Sequence, residues 1–291
     1  MIFTTIYQES GFSNQIWKAM TLRAIAKKQG YNFHIIGEDV YKGKNIIDLD
    51  FGKVGFEEGD FSYSGSYQEK LVRNSIGVDI SPADPFILDI PDHFHIDGNL
   101  QAVSYIKDYK TDIIEWLNIK PEKENYEFSH DNICLLHLRG GDHIGAPANS
   151  FLGKNYYANA MKYMTHINPA MHFYLLSDDI RVAQDYAHSL GISLAGSLVT
   201  GEPDPYKSDY HLGGDISIDW AILNSAKNVI LSNSTFAFWP VWTNKNNPNV
   251  VAPWKYMNFN NSDDNWSTGD MHVDEWNYID NKANFYEKKN L

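Results

Sequence analysis

Apolar positions along this chain follow two rhythms, and their alternation sets the expected fold. Ile2–Tyr7 reads as a strand and Gln8–Ser13 as a turn. Over Asn14–Gln29, Ile16, Trp17, Met20, Ala24 and Ile25 recur at helical spacing, with Gly30 placed to stop the helix. Tyr31–Ile36 is a second strand. Residues 38–95 hold no sustained period and are broken by Pro82, Pro85 and Pro91. Ile106–Leu117 predicts a helix, and the polar stretch Lys120–Asp131, carrying Pro121, predicts a linker. Beyond it, apolar strands at 132–138, 171–176, 192–195, 228–232 and 249–252 alternate with helical patterns near 155–166, 180–190, 217–226 and 234–244. This alternation predicts an α/β protein with a parallel sheet covered by helices. It divides the chain into a first domain, residues 1–128, and a second, residues 129–291. The tail after Asp263 has no assignable pattern.

Composition narrows the partners more than the fold. The net charge of −13 argues against a nucleic-acid or anionic-membrane surface, which needs a positive field. Any anionic ligand must then be held by local arginines and helix ends. Aromatic residues make up 14% of the chain, and their default place is the core. The single cysteine, Cys134, has no partner for an internal disulfide and favours a reducing compartment. The first residues lack a signal-peptide pattern, and no window approaches the roughly eighteen apolar residues of a membrane span. The expectation is a cytoplasmic protein, or one peripheral to a membrane, without an integral membrane segment.

Candidate chemistry concentrates where apolar runs end. Ile133–Leu138 is apolar apart from His137, and it ends abruptly at Arg139, Gly140, Gly141 and Asp142. Ligands of open α/β sheets bind at strand ends. A guanidinium beside glycines there suits a phosphate or diphosphate, because its fork matches phosphate oxygens and glycine lets backbone approach. His137, between two leucines, could equally be a core histidine. In Asn228–Phe236 a strand runs into a helix, and Asn233, Ser234 and Thr235 occupy cap positions whose N–H groups would face an anion. The strand Phe173–Ser177 ends in Asp178 and Asp179, which could cap the next helix, chelate a divalent ion, or read a base or ribose. In the first turn, Asn14 and Gln15 are neutral hydrogen-bonding groups; a plain helix cap explains Asn14 as well. His93 and His95 lack a third ligand in register, so no metal site is expected.

Taken in order, these segments resemble the α-1,2-fucosyltransferase family. Gly11, Asn14 and Gln15 match its first turn, and Gly98-Asn-Leu-Gln101 followed by Tyr105 echoes a middle motif. His137, Arg139, Gly141 and Asp142 match its hallmark His-x-Arg-Arg-Gly-Asp. Leu176–Asp179 matches a later strand end, and Asn233, Ser234, Thr235, Phe236 and Trp239 match the late Asn-Ser-Ser-Phe motif, with Ala252, Pro253 and Trp254 following. The resemblance implies a GT-B-like fold, two Rossmann-like domains facing across a cleft, with the acceptor side in the first and the nucleotide sugar in the second. It implies an inverting transfer of L-fucose from GDP-fucose to a glycan hydroxyl, such as the galactose 2-OH, with no cofactor or metal. Carried over by position, Arg139 would hold the diphosphate and His137 contact the nucleotide. Asp178 and Asp219 would read the nucleoside, and Asn233, Ser234, Thr235 and Phe236 would close over the phosphates. Asn14 and Gln15 would line the fucose and acceptor, and Asp142 and His143 are the nearest candidates for a catalytic base. Asp142 has the alternative role of holding Arg139. The chain departs from the pattern at Gly140, where the family has a second arginine, and at Ser10, Ser13, Phe238 and Pro240. A nucleotide-sugar-binding protein without turnover, and a related transferase using another nucleotide sugar, are the alternative readings.

Overall fold

The structure, a computed structural model, describes residues 1–52, 64–73, 79–120, 128–145, 151–195, 216–256 and 270–287. The chain forms two compact units, Met1–Lys120 with Gly269–His272, and Pro121–Thr268 with Val273–Leu291. Each is an α/β layer built on a parallel sheet. Each unit is of the α/β class expected from the sequence.

The first unit holds a four-stranded parallel sheet in the order β2-β1-β6-β3. Its strands are β1 (Ile2–Thr5), β2 (Phe33–Ile36), β3 (Gly65–Gln68) and β6 (Phe94–Asp97). A short antiparallel pair, β4 (Val72–Arg73) and β5 (Asp79–Ile80), lies between β3 and β6 in the chain. Helix α1 (Phe12–Gln29) is buried over most of its surface, Ile16, Trp17, Met20, Leu22 and Ile25 completely. It ends at Gly30, whose φ of 71° lies in the left-handed region. The helix expected over 106–117 is broken into α2 (Val103–Ile106), a 3₁₀ turn, and α3 (Lys110–Leu117). Ser104 Oγ donates to Asp270 Oδ2 at 2.9 Å, tying the returning segment to this unit.

Two strands, β3 and β6, lie inside the region that the sequence pattern leaves irregular. Each has four residues, and each mixes polar with apolar side chains, so neither gives a recognisable period. Their pairing is supplied by neighbours: Thr4 Oγ1 donates to the Ile96 carbonyl at 2.7 Å across the β1–β6 seam.

The second unit holds a seven-stranded sheet in the order β13-β12-β11-β10-β7-β8-β9. Its strands are β7 (Ile133–Leu138), β8 (His172–Ser177), β9 (Ser193–Leu194), β10 (Asn228–Ile230), β11 (Asn249–Pro253), β12 (Asn277–Ile279) and β13 (Phe285–Tyr286). All pairs are parallel except β12–β13. The helices are α4 (Lys154–Ile167), α5 (Ile180–Leu190), α6 (Ile216–Ser225) and α7 (Thr235–Trp242). β12 and β13 fall in the tail that the sequence leaves unassigned. Central strand β7 is buried at every position. Cys134, Leu136 and Leu138 point into a core with Tyr156, Tyr157, Leu175, Ala183 and Ile230. Burial pushes the Cys134 thiol well above its ordinary pKa. Residues 196–215 lie outside the described residues. Among the described residues, no helix is long and apolar enough to cross a membrane.

Candidate active site

The carboxyl edge of the second sheet is where its chemistry gathers. β10, β7 and β8 are neighbours there, with Ile230 beside Leu136 and Ser177 beside Leu138. The next residues of the three strands are Leu231–Ser234, Arg139 and Asp178. Tyrosines at the start of α4 fasten this edge. Tyr157 Oη donates to the His137 carbonyl at 3.0 Å, and Tyr156 Oη donates to the Leu231 carbonyl at 2.6 Å. These bonds tie the start of α4 to β7 and to the residue after β10.

Arg139 forms an ion pair with Asp178 through Nη1. The other oxygen of that carboxylate, Oδ1, accepts the Gly140 backbone N–H at 2.7 Å. One side chain therefore fixes both the guanidinium and the turn behind it. A quarter of the Arg139 side chain, 25%, stays exposed, so an anion can still reach it. Asp179 takes the capping role, accepting from the Arg181 and Val182 N–H groups at 3.0 and 3.3 Å.

Gly140 is where a side chain will not fit. A Cβ there would lie 2.6 Å from Asp179 Cβ and 3.5 Å from Asp178 Oδ1. The family's second arginine is thus absent for a steric reason as well as a change of charge. Gly141 to His143 form a single 3₁₀ turn, closed by the His143 N–H donating to the Gly140 carbonyl at 3.0 Å. The side chain of Asp142 lies outside the described part of the structure.

His137 is buried, 4% exposed, and its Nδ1 lies 2.7 Å from Ser232 Oγ across the β7–β10 seam. Burial, reinforced by the charges of Arg139 and His143, lowers its pKa to about 3, so the ring is neutral at pH 7. Its ring lies 6.3 Å from that of Phe236, which in turn is 6.2 Å from Trp220. This aromatic contact brings α6, with the buried Asp219, to the same corner as α7. Asn233 and Ser234 are buried too, and Ser234 is the N-cap of α7, although its side chain makes no capping bond. His137, Arg139, Asp178 and the 232–236 turn therefore share one edge, with Asp219 joined through Trp220 and Phe236.

The first unit treats its two candidates differently. Asn14 accepts from Gln101 Nε2 at 3.0 Å and is half-buried. Gln15 is fully buried; its Nε2 donates to the Tyr7 and Val40 carbonyls, both at 3.1 Å, and its Oε1 accepts from the Lys42 N–H at 3.0 Å. Gln15 thus pins the first turn. Sequence reading also passed over Lys18, Tyr7 and Asp97. Lys18 Nζ donates to Asp97 Oδ1 at 2.8 Å and to the Thr5 carbonyl at 3.0 Å, and Tyr7 Oη donates to Asp97 Oδ2 at 3.0 Å. Burial would raise the Asp97 pKa, but the bonds from Lys18, Tyr7 and Gly98 outweigh it and hold the carboxyl below its usual range. His93 and His95 sit in this unit at β6, with His95 Nε2 3.0 Å from Thr5 Oγ1. Among the described residues no group of three or more His, Cys, Asp or Glu side chains is placed to hold a metal.

Similarity to known proteins makes this chain a glycosyltransferase of the fucosyltransferase-like class. The family follows from the sequence match: the model of glycosyl transferase family 11 matches residues 101–280, and the chain belongs to that family, the α-1,2-fucosyltransferase family. The O-antigen biosynthesis glycosyltransferase WbnK of Escherichia coli is 28% identical over 135 residues, which is 45% of this chain and 41% of the relative. The chain therefore matches less than half the length of that relative. Among solved structures, a mutant Arabidopsis thaliana FUT1 in complex with GDP has 12% identity and a TM-score of 0.45, covering 86% of this chain and 70% of that one. A glycosyl transferase family 9 protein from Veillonella parvula has 10% identity and a TM-score of 0.46, covering 96% of this chain and 85% of that one.

Proposed function

We propose that this protein is an inverting, metal-independent fucosyltransferase that moves L-fucose from GDP-fucose to a glycan hydroxyl, the 2-OH of galactose being the expected acceptor. The observation that carries this reading is Arg139: held by Asp178, open over part of its surface, and one strand away from the Ser234 cap. A guanidinium so fixed would meet the negative charge that grows on the diphosphate as the glycosidic bond breaks, which stabilises the transition state more than the bound donor. His137, Asp178, Asp219, Asn233, Ser234, Thr235 and Phe236 make up the nucleotide side. Asp178 acts through Arg139 as a positioning residue. Neutral His137 supplies a hydrogen-bonding ring without adding charge. Asn14 serves the sugar side. In the displacement, the acceptor oxygen bonds to the sugar's anomeric carbon, the bond to the diphosphate oxygen breaks, and Asp142 or His143 takes the acceptor proton. The reaction needs no cofactor beyond the donor.

One observation favours a second reading, a different nucleotide sugar. Gly140 leaves one positive charge fewer than the family pattern, and the space beside Asp179 prevents its return. The test is GDP release from GDP-fucose, GDP-mannose and UDP-sugars, each with and without EDTA. Release from GDP-fucose alone, unchanged by EDTA, is the expected result. Release from another donor only would overturn the fucose assignment, and loss of turnover in EDTA would overturn metal independence.

A further inference from the structure

β11 is the strand beyond β10, and the chain leaves its carboxyl end through Trp254, Lys255 and Tyr256. Trp254 is anchored by its stack on the Tyr286 ring, with centroids 4.3 Å apart and planes 23° apart. Tyr256 is half-buried as a residue, yet its hydroxyl oxygen is covered and has no hydrogen-bond partner. A buried hydroxyl without a partner is costly and calls for an explanation. Burial raises the phenol's pKa while the positive charge of Arg139 pulls it back, so that guanidinium lies within electrostatic reach of the ring. Arg139 itself leaves β7, on the other side of β10. Residues Trp254 to Tyr256 leave the sheet at the same carboxyl edge as Arg139 and the α7 cap, one strand beyond β10.

We propose that Tyr256 is a further ligand of the diphosphate site, its hydroxyl donating a hydrogen bond to a phosphate oxygen held by Arg139. The proposal rests on the donor reading above and deepens it. A phosphate oxygen is an acceptor, which a neighbouring guanidinium cannot be, so it suits a covered hydroxyl that lacks a partner. The same hydroxyl would follow the leaving group as its charge grows, so it serves departure as well as binding.

The test compares wild type, Tyr256→Phe and Arg139→Ala by calorimetry with GDP, UDP and inorganic pyrophosphate, alongside the melting temperature of each unliganded protein. Tyr256→Phe should bind the preferred diphosphate about tenfold or more weakly. Its unliganded melting temperature should equal or exceed that of wild type, because the change removes an unpaired buried hydroxyl and keeps the ring. A purely structural tyrosine would not combine weaker binding with undiminished stability. Unchanged affinity in Tyr256→Phe, with affinity lost in Arg139→Ala, overturns the Tyr256 assignment and leaves the donor reading standing. Binding of UDP but not GDP, weakened in Tyr256→Phe, overturns the guanosine donor and supports the tyrosine. If none of the three probes binds wild type, both fall.

Discussion

Each unit carries a cation–carboxylate pair at the carboxyl edge of its parallel sheet, and the two pairs are built to opposite ends. In the first, Lys18 is 4% exposed in its side chain, and its ammonium is enclosed by Asp97, the Thr5 carbonyl and the Tyr7 ring, 4.3 Å from the centroid. In the second, Arg139 and Asp178 keep 25% and 23% of their side chains exposed. A compact ammonium surrounded by acceptors is a fastening between α1, β1 and β6. A planar guanidinium that keeps a quarter of its side chain exposed remains able to grip something else. Position on a sheet edge is thus insufficient to mark a ligand site; residual access decides.

That contrast breaks along separate measurements. Arg139→Ala should reduce transfer by about 10²–10³-fold, the cost of losing a charge-stabilising donor, while its melting temperature moves little, since partly exposed pairs contribute about 0–1 kcal/mol. Donor turnover and thermal unfolding measured on the same sample check both halves. Lys18→Met should show the reverse: about 3 kcal/mol less stability in urea unfolding, because Asp97 is left with an uncompensated charge, and GDP affinity within about twofold of wild type. A large loss of affinity in Lys18→Met would erase the distinction. Gly140→Ala should cost about 1–3 kcal/mol through overpacking against Asp179, read as a lower urea midpoint at unchanged slope. No loss of stability there would mean that the turn yields easily and that the missing arginine has no steric cause. Stability also depends on pH through His137. Its folded pKa of about 3 lies below the ordinary 6.5, so the unfolded chain binds the extra proton first. The stability due to the neutral ring is whole above pH 6.5 and declines as pH falls toward 3, with a slope approaching about 1.4 kcal/mol per pH unit. His137→Gln should remove that portion of the slope, as urea titrations between pH 7 and pH 4 would reveal.

How much of this was legible beforehand depended on length and repetition. The second unit has strands of up to six residues that are mostly apolar, separated by helices of eight or more, so its order could be read from the chain. The first unit's β3 and β6, Gly-Ser-Tyr-Gln and Phe-His-Ile-Asp, owe their conformation to β1 and to each other, and such non-local pairing leaves no local period. β12 was hidden likewise, since Asn277–Ile279 becomes a strand by lying beside Val251–Pro253. At the site, strand-end residues were legible because chemistry stood against an apolar background. The hold of Gln15 on the first turn was not legible, because an amide in a turn looks the same whether it faces outward or is turned inward onto three backbone groups. Lys18 was invisible for a related reason: a lysine on a helix is ordinarily solvated, and only β6, itself unrecognised, supplies its carboxylate. Asp178 was noticed as one of a pair, but its double grip on Arg139 and Gly140 needed three dimensions.

The lone thiol of the molecule sits in β7, sealed from solvent at Cys134 and displaced toward its protonated, unreactive form. Thiol reagents should therefore ignore the native protein and report only when the central strand opens. Because β7 also carries Arg139, the rate of that modification would time the opening of the strand that bears the proposed catalytic arginine, and a bound diphosphate should slow it in proportion to its occupancy.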